Sequence, residues 1–258
     1  MKPFIHLFGF TIATYGLLIL TGFIIGIVIA LFRADKHNQK KEDVFYASLF
    51  AVIGLIIGAK LVYLLINIPY IINNFQAMIK NPQYIIAMLQ GGFVFYGGLA
   101  GAIILMYVYT KKYKIDFIDL VETLTPSFPL IHAFGRLGCF LAGCCYGIPF
   151  KAPIGMRFSQ SPVAPNNIEL FPVQLLESFL NILIFVFLIV YARKKRDKGN
   201  LIRIYLIFYS IVRFFLEYLR YDAERGFWMG VSTSQWFSIA IIIAVIAEYI
   251  YRKSLKKQ

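Results

Sequence analysis

The sequence predicts an all-α polytopic membrane protein with seven transmembrane helices. Of its 258 residues, 59% are hydrophobic and only 15% are charged, whereas about 25% of a typical soluble domain is charged. The mean hydropathy is +0.70. So few polar residues argue against a soluble globule, a disordered chain or a disulfide scaffold, and the length allows one membrane-embedded domain over 1–258.

Seven apolar stretches approach the roughly 20 residues that a helix needs to cross a bilayer. Within lipid they are expected to be helices, because an open strand would leave its backbone unsatisfied. The predicted spans are Phe10–Phe32, Phe45–Ile68, Gly92–Tyr109, Phe117–Phe134, Val173–Tyr191, Leu201–Tyr221 and Ser234–Tyr251.

The connections between these spans indicate the orientation of the chain. Basic residues concentrate after the first, third, fifth and seventh spans, so the positive-inside rule predicts an outer N-terminus and a cytoplasmic C-terminus. Two long segments, 69–91 and 135–171, then lie on the outer face, and we expect the first to include an interfacial helix. The net charge of +13 fits basic loops against anionic lipid. No zinc-finger or RNA-binding signature is present, and no nucleic acid partner is expected.

Ionisable residues inside predicted spans are costly, so each is a functional candidate. Most of them fall in the outer half of the membrane, which predicts one polar cavity that opens toward the outer leaflet. Arginine fits phosphate oxygens, so Arg136 and Arg213 favour a lipid head group as the ligand. Arg213 and Glu217 could instead only neutralise each other, since they are four residues apart. The residues within spans are Lys60, Asp119, Glu122, His132, Glu177, Arg213, Glu217 and Glu248, and Arg136 lies just beyond the fourth span.

The segment 132–147 is the densest motif and contains every cysteine of the chain. His132 and Arg136 share a helix face if the helix continues, and His132 is either a hydrogen-bonded helix-end residue or catalytic. The spacing of Cys139, Cys144 and Cys145 is not usual for zinc, so we expect no metal site. A disulfide on the outer face is an open alternative to small packed thiols.

Gly135–Gly147 resembles the signature G-R-x-G-N-F-x-N-G-E-x-x-G of prolipoprotein diacylglyceryl transferases. The chain departs from it at Cys139, Ala142 and Cys144, which replace two asparagines and a glutamate. Further matches follow in the family's order: Tyr15-Gly16 for Y-G, Gly58–Tyr63 for G-[AG]-R-x-x-Y with Lys60 for Arg, Phe95–Leu99 for F-H-G-G-L with Tyr96 for His, Pro172–Glu177 for P-x-Q-L-x-E, and Arg213–Glu217 for R-F-x-x-E.

The resemblance implies a multi-pass enzyme of the bacterial plasma (inner) membrane. Such enzymes move the diacylglyceryl group of phosphatidylglycerol onto the lipobox cysteine thiol of a preprolipoprotein signal peptide and release glycerol phosphate. The implied partners are therefore that lipid and that protein, within membrane lipid. No metal or organic cofactor is implied, and we expect a monomer.

The implied site combines the family positions with the residues singled out above. We expect Arg136 and Arg213 to bind the phosphate and stabilise the leaving group, with Glu217 orienting Arg213. His132 is a possible base, because tyrosine at position 96 has an ordinary pKa of ~10, whereas histidine has one of ~6.5. The predicted catalytic residues are Arg136, Arg213, His132 and Tyr96, and the predicted substrate-binding residues are Arg136, Arg213, Glu217, Tyr15, Lys60, Gly97, Gly98 and Gly147.

Two other functions share some of these features. A transporter or flippase of an anionic lipid or solute would also need the cavity and arginines, although transporters tend to bind near the midplane and to show inverted repeats. A thiol-redox membrane protein would use Cys144 and Cys145.

Overall fold

The fold is predominantly helical. A computed structural model describes residues 3–7, 10–37, 39–151, 153–159, 161, 163–194, 197–221 and 226–255. The described residues form these α-helices: α1 Thr14–Ala34, α2 Lys41–Ile66, α3 Ile68–Asn73, α4 Phe75–Lys80, α5 Pro82–Gln90, α6 Phe95–Tyr113, α7 Phe117–Leu124, α8 Ser127–Ala142, α9 Val173–Tyr191, α10 Asn200–Leu216 and α11 Thr233–Leu255.

Four of the described helices are long and apolar enough to cross a membrane: α1 with the turn after it, α2, α9 and α11. They confirm a helical membrane protein, while the seven spans and the orientation of the termini stay predictions. Several basic residues behind the predicted orientation lie outside the described residues, namely Lys2, Lys195, Arg196, Arg225, Lys256 and Lys257.

The limits of the predicted spans hold in part. The fifth span is confirmed residue for residue by α9. The fourth span is wrong as one helix, because α7 ends before Pro126, which cannot donate a backbone hydrogen bond. The helix α8 then runs on to Ala142, well past the predicted end at Phe134. His132 and Arg136 therefore do lie on one continuous helix.

Short hairpins modify the all-α expectation. Phe10–Ala13 was expected inside the first span, but it pairs as β2 with β1, Phe4–Leu7. Its backbone groups are used across the hairpin, so the helix begins only at Thr14. Two further hairpins join β3, Met156–Arg157, to β4, Glu169–Leu170, and β5, Phe227–Trp228, to β6, Val231–Ser232.

The chain divides into two compact units, one of residues 1–33 with 121–258 and the other of residues 34–120. In the second unit α2 packs on α6 through glycines. A Cβ atom added to Gly54 would collide with the carbonyl oxygen of Gly101, and one added to Gly58 would collide with that of Gly97. Gly54 and Gly58 form a small-xxx-small pattern, which lets the two helices approach closely.

In the first unit α1 packs on α8 through Gly22 and Gly26. A Cβ atom at Gly22 would come within 2.8 Å of Phe134 Cβ, and the Ser127 hydroxyl donates to the Gly26 carbonyl oxygen at 2.7 Å. This contact fixes the helix that carries the candidate site, since Phe134 lies two residues from His132 and from Arg136.

The two segments predicted to lie on the outer face contain regular structure. Residues 69–91 fall mainly in the short helices α3, α4 and α5, which agrees with an expected helix there. After α8, a small buried core of Tyr146, Phe158, Ala164 and Leu170 organises the second segment. The chain that follows Arg136 is thus held in place by packing.

Two acidic candidates have structural partners instead of a place in the site. The carboxylate of Glu122 accepts hydrogen bonds from the backbone N–H groups of Leu201 (3.3 Å) and Ile202 (3.0 Å), and so caps α10. Glu248 forms an ion pair with Arg203 at 2.6 Å. Both contacts stabilise helix ends and explain these charges without a ligand.

Candidate functional site

The centre of the candidate site is a buried cluster on α8 and α9. Glu177 is 2% exposed, and its Oε1 atom lies 3.0 Å from Arg136 Nε and 3.3 Å from His132 Nε2. The Arg136 Nε–H also donates to His132 Nε2 at 3.1 Å. One carboxylate therefore holds the two residues that the sequence placed on a common helix face.

These contacts orient Arg136 but involve only part of its guanidinium group. Its hydrogen-bond and ion-pair contacts with described residues fall on Nε. Guanidinium presents five N–H donors in a planar fork. The two terminal amino groups are left to bind an anion, and the side chain is 15% exposed at this position.

Arg213, on α10, is likewise anchored by a carboxylate and has a guanidinium donor left over. It forms an ion pair with Glu217 at 2.6 Å, and its Nη2 donates to Ser234 Oγ of α11 at 2.8 Å. The predicted pairing of Arg213 with Glu217 is thus present. However, the buried Nη1 atom has no hydrogen-bond partner among the described residues, and a buried donor without a partner is unfavourable. An acceptor from a ligand would satisfy it.

Tyr209 links the two arginine regions. Its ring lies 5.2 Å from the His132 ring, centroid to centroid, and it is one helical turn before Arg213. Arg213 is also within electrostatic range of His132 and Glu177. Both arginines therefore act on one charge cluster.

Tyr15 reaches the site from the start of α1. It packs against Gly138, where an added Cβ atom would lie 3.0 Å from Tyr15 Cδ2 and 3.2 Å from its Cα. Gly138 thus allows the backbones of α1 and α8 to approach two residues after Arg136. Tyr15 is 42% exposed, and its predicted contact with substrate stays a prediction.

Gly147, predicted to bind substrate, has a packing explanation. Its backbone N–H donates to the Phe171 carbonyl oxygen at 3.2 Å, and a Cβ atom there would collide with the same oxygen. Its backbone also forms a bridge with Arg220. These contacts close the segment after α8, and a direct role toward substrate stays a prediction.

The other predicted site residues belong to the second unit. Lys60 Nζ donates to the carbonyl oxygens of Met88 and Gly91, both at 2.6 Å. It also lies 5.1 Å from the Tyr63 ring centroid and 4.9 Å from that of Phe93. Lys60 thus links the segment after α5 to α2. These contacts give Lys60 a structural explanation as an alternative to its predicted contact with substrate.

Tyr96, Gly97 and Gly98 begin α6. A Cβ atom at Gly97 would come within 2.6 Å of the Gly58 carbonyl oxygen, so this glycine is required for packing on α2. The Tyr96 side chain is 49% exposed. Its predicted role in catalysis is compatible with that exposure and stays a prediction.

Sequence reasoning left some residues out of the site. Glu177 had a signal, as an ionisable residue within a span, but its contacts with both Arg136 and His132 were not foreseen. Gln174 is fully buried and donates to the Cys144 carbonyl oxygen at 2.8 Å. Tyr209 and Ser234 gave no signal, because an uncharged residue in an apolar helix is most often simply packed.

These features define a class of protein: a helical membrane protein with a buried site of two arginines that can receive an anionic group. The model of the prolipoprotein diacylglyceryl transferase family matches residues 2–251, and the chain belongs to that family.

Curated relatives agree with this membership. The chain is 39% identical to the phosphatidylglycerol–prolipoprotein diacylglyceryl transferase of Clostridium tetani over 94% of either chain. It is 34% identical to a protein of that name from Clostridium perfringens, over 95% of this chain and 92% of the relative. A relative from Clostridioides difficile with the same name is 31% identical over 97% of this chain and 95% of the relative.

Proposed function

We propose that this chain transfers the diacylglyceryl group of phosphatidylglycerol to the lipobox cysteine thiol of preprolipoproteins and releases glycerol phosphate. The observation that carries the proposal is the pair Arg136 and Arg213, each held by a carboxylate and each with guanidinium donors left for a ligand. The family membership and the names of the relatives supply the reaction.

The phosphate would bind between these donors. Arg136 would use its two terminal amino groups, and Arg213 would use Nη1, whose burial makes a hydrogen bond there strong. Glu177 and Glu217 hold the opposite edges, so the forks are oriented before the lipid arrives. Such preorganised donors act where the negative charge develops. The Tyr15 hydroxyl would add a hydrogen bond to the head group.

The chemical step is a displacement at the glycerol carbon that carries the phosphate. The substrate sulfur forms a C–S bond to this carbon as the C–O bond breaks, and the electron pair stays on the phosphate oxygen. The phosphate thereby changes from a singly charged diester to a doubly charged monoester. The thiol must lose its proton, since the thiolate is the reactive form.

His132 would receive that proton. The charges of Arg136, Arg213, Glu177 and Glu217 cancel, so the cluster has no excess positive charge before the reaction. A proton on His132 would supply one positive charge as the phosphate gains one negative charge. Proton transfer and departure of the phosphate would therefore support each other within one low-dielectric cluster.

The setting of the reaction follows from the same proposal. The whole chain would act as one transferase domain, a monomer that spans the bacterial plasma membrane seven times with an outer N-terminus and a cytoplasmic C-terminus.

Single cysteines placed at Lys151 and Lys194 of a cysteine-free variant test this orientation. An impermeant reagent should label position 151 from outside and position 194 only from the cytoplasmic side. Equal labelling of both from one side would contradict it.

Complementation tests the function. Expression of the chain in a bacterial strain depleted of its own transferase should restore growth and lipoprotein modification, and the Arg136→Ala variant serves as a matched control. The purified chain should also move labelled diacylglyceryl from phosphatidylglycerol to a lipobox peptide. Release of glycerol phosphate without labelled peptide, or neither product from folded protein, would overturn the proposal.

A further inference from the structure

The three cysteines meet in space although their sequence spacing did not suggest a site. Cys139 is in the last turn of α8, and Cys144 and Cys145 follow Gly143. The three Sγ atoms all lie within 4.8 Å of one another. With Zn–S bonds of about 2.3 Å, three thiolates around one ion are about 3.8–4.0 Å apart. Small side-chain movements would therefore bring the cluster to coordination distance.

The backbone explains how adjacent cysteines can face one point. Successive residues of an extended chain point to opposite sides, which is why neighbouring cysteines seldom share an ion. Here α8 ends in a left-handed glycine, Gly143 (φ 73°), and Cys145 is itself left-handed (φ 55°). The Cys144 N–H donates to the Cys139 carbonyl oxygen at 3.1 Å, which folds the loop back onto the helix.

A buried amide completes the surroundings of the cluster. Gln174 Nε2 donates to the Cys144 carbonyl oxygen at 2.8 Å and so fixes this loop to α9. The Gln174 Oε1 atom is buried and has no hydrogen-bond partner among the described residues. A spare acceptor on a side chain that contacts this loop suits a water molecule bound to an ion in the fourth coordination position.

The charges near the cluster favour a thiolate complex. Three thiolates and one divalent cation carry a single net negative charge. Arg136 is one helical turn before Cys139, and Arg220 forms a backbone bridge with Gly147, two residues after Cys145. Their positive charges would compensate that charge.

We propose that Cys139, Cys144 and Cys145 form a three-thiolate site for one thiophilic d10 cation of the zinc type, with the fourth position open to water. Cys139 is buried, whereas Cys144 and Cys145 are partly exposed, so the ion has a route of entry. The cluster lies next to Arg136 of the proposed transfer site, but the transfer chemistry does not use the ion, so failure of the metal site would leave that proposal standing.

Cadmium is a suitable probe, because its thiolate complexes absorb in the ultraviolet. The purified full-length chain, kept reduced with a reductant that contains no thiol, should bind one Cd2+ per chain with a thiolate-to-metal absorption band. The sequence holds only three cysteines, so such a band must come from this cluster. Prior loading with Zn2+ should protect all three thiols from iodoacetamide, counted by mass spectrometry.

Variants separate this site from adventitious binding. Cys139→Ser, Cys144→Ser and Cys145→Ser should each weaken Cd2+ binding about tenfold or more, since even second-shell changes cost 10–100-fold. Met156→Leu, which removes an exposed sulfur outside the cluster, should bind as the parent chain does. Absence of the band at one ion per chain, or serine variants that bind normally, would overturn the proposal. A disulfide between two of these cysteines in protein taken directly from membranes would overturn it too.

Discussion

Cations in apolar helices are held differently in the two units. In the first unit, carboxylates hold one edge of each arginine: Glu177 contacts Arg136 Nε, and Glu217 pairs with Arg213. In the second unit, two backbone carbonyl oxygens take Lys60 Nζ.

This difference determines which hydrogen-bond donors of each cation are left for a ligand. A guanidinium has five donors in a rigid fork, so one edge can be anchored while the other binds an anion. An ammonium has three donors, and Lys60 uses two of them on the backbone while the rings of Tyr63 and Phe93 lie nearby. We therefore expect the arginines to act on the substrate and Lys60 to act mainly on the fold.

Loss of either arginine should have the largest effect. Arg136→Ala and Arg213→Ala should each lower transfer by about 10³-fold, because the leaving phosphate loses a preorganised donor. Arg136→Lys and Arg213→Lys should rescue poorly, since lysine lacks the fork. Turnover of phosphatidylglycerol by protein matched for folded amount measures this. Near-normal activity in either alanine variant would remove the phosphate clamp from the mechanism.

The next largest losses of activity are expected at His132 and Tyr96, and they should differ in size. His132→Gln keeps hydrogen bonding but not basicity, so we expect about a 10²-fold loss of activity, as for a lost general base. Tyr96→Phe removes only a hydroxyl and should cost about tenfold or less. Rate measurements on both variants over a range of pH give the comparison. A dead Tyr96→Phe beside a normal His132→Gln would reverse the two roles.

A smaller change in rate is expected when the anchor of Arg136 is neutralised. Glu177→Gln should lower activity about 10- to 100-fold, because Arg136 loses the ion pair that orients its guanidinium and a misplaced group can cost about 10²-fold. It should also lower stability by about 3 kcal/mol, because a buried charge loses its partner.

Glu248→Gln is the matched control for Glu177. Its pair with Arg203 is 39% exposed on the glutamate side, so we expect at most about 1 kcal/mol. Thermal unfolding in detergent, with transfer assayed on the folded fraction, compares the two variants. Equal behaviour would mean that burial of Glu177 has no special role.

The smallest change in rate is expected for Lys60. Lys60→Met removes the tie to Met88 and Gly91 and should lower thermal stability, with less than about a tenfold loss of activity in folded protein. Lys112→Met, a change on an exposed lysine of the same unit, should affect neither. A loss of activity as large as that of the arginine variants would return Lys60 to the substrate site, as the family resemblance implies.

Much of this protein follows from its sequence because lipid imposes simple rules. A run of apolar residues in a membrane must satisfy its own backbone, so α9 could be placed residue for residue. For the same reason Arg136 and Arg213 stood out, since permanent charges in apolar helices require a function or a partner.

Tertiary structure decided the rest, because it depends on contacts between distant segments. The sequence could not show that Glu177 would hold both Arg136 and His132, since their helices are joined by a long segment. Nor could spacing show that Cys139, Cys144 and Cys145 would converge, which depends on the left-handed turns that end α8. Local rules place helices and charges along the chain, whereas the partner of each charge is chosen only when the helices pack.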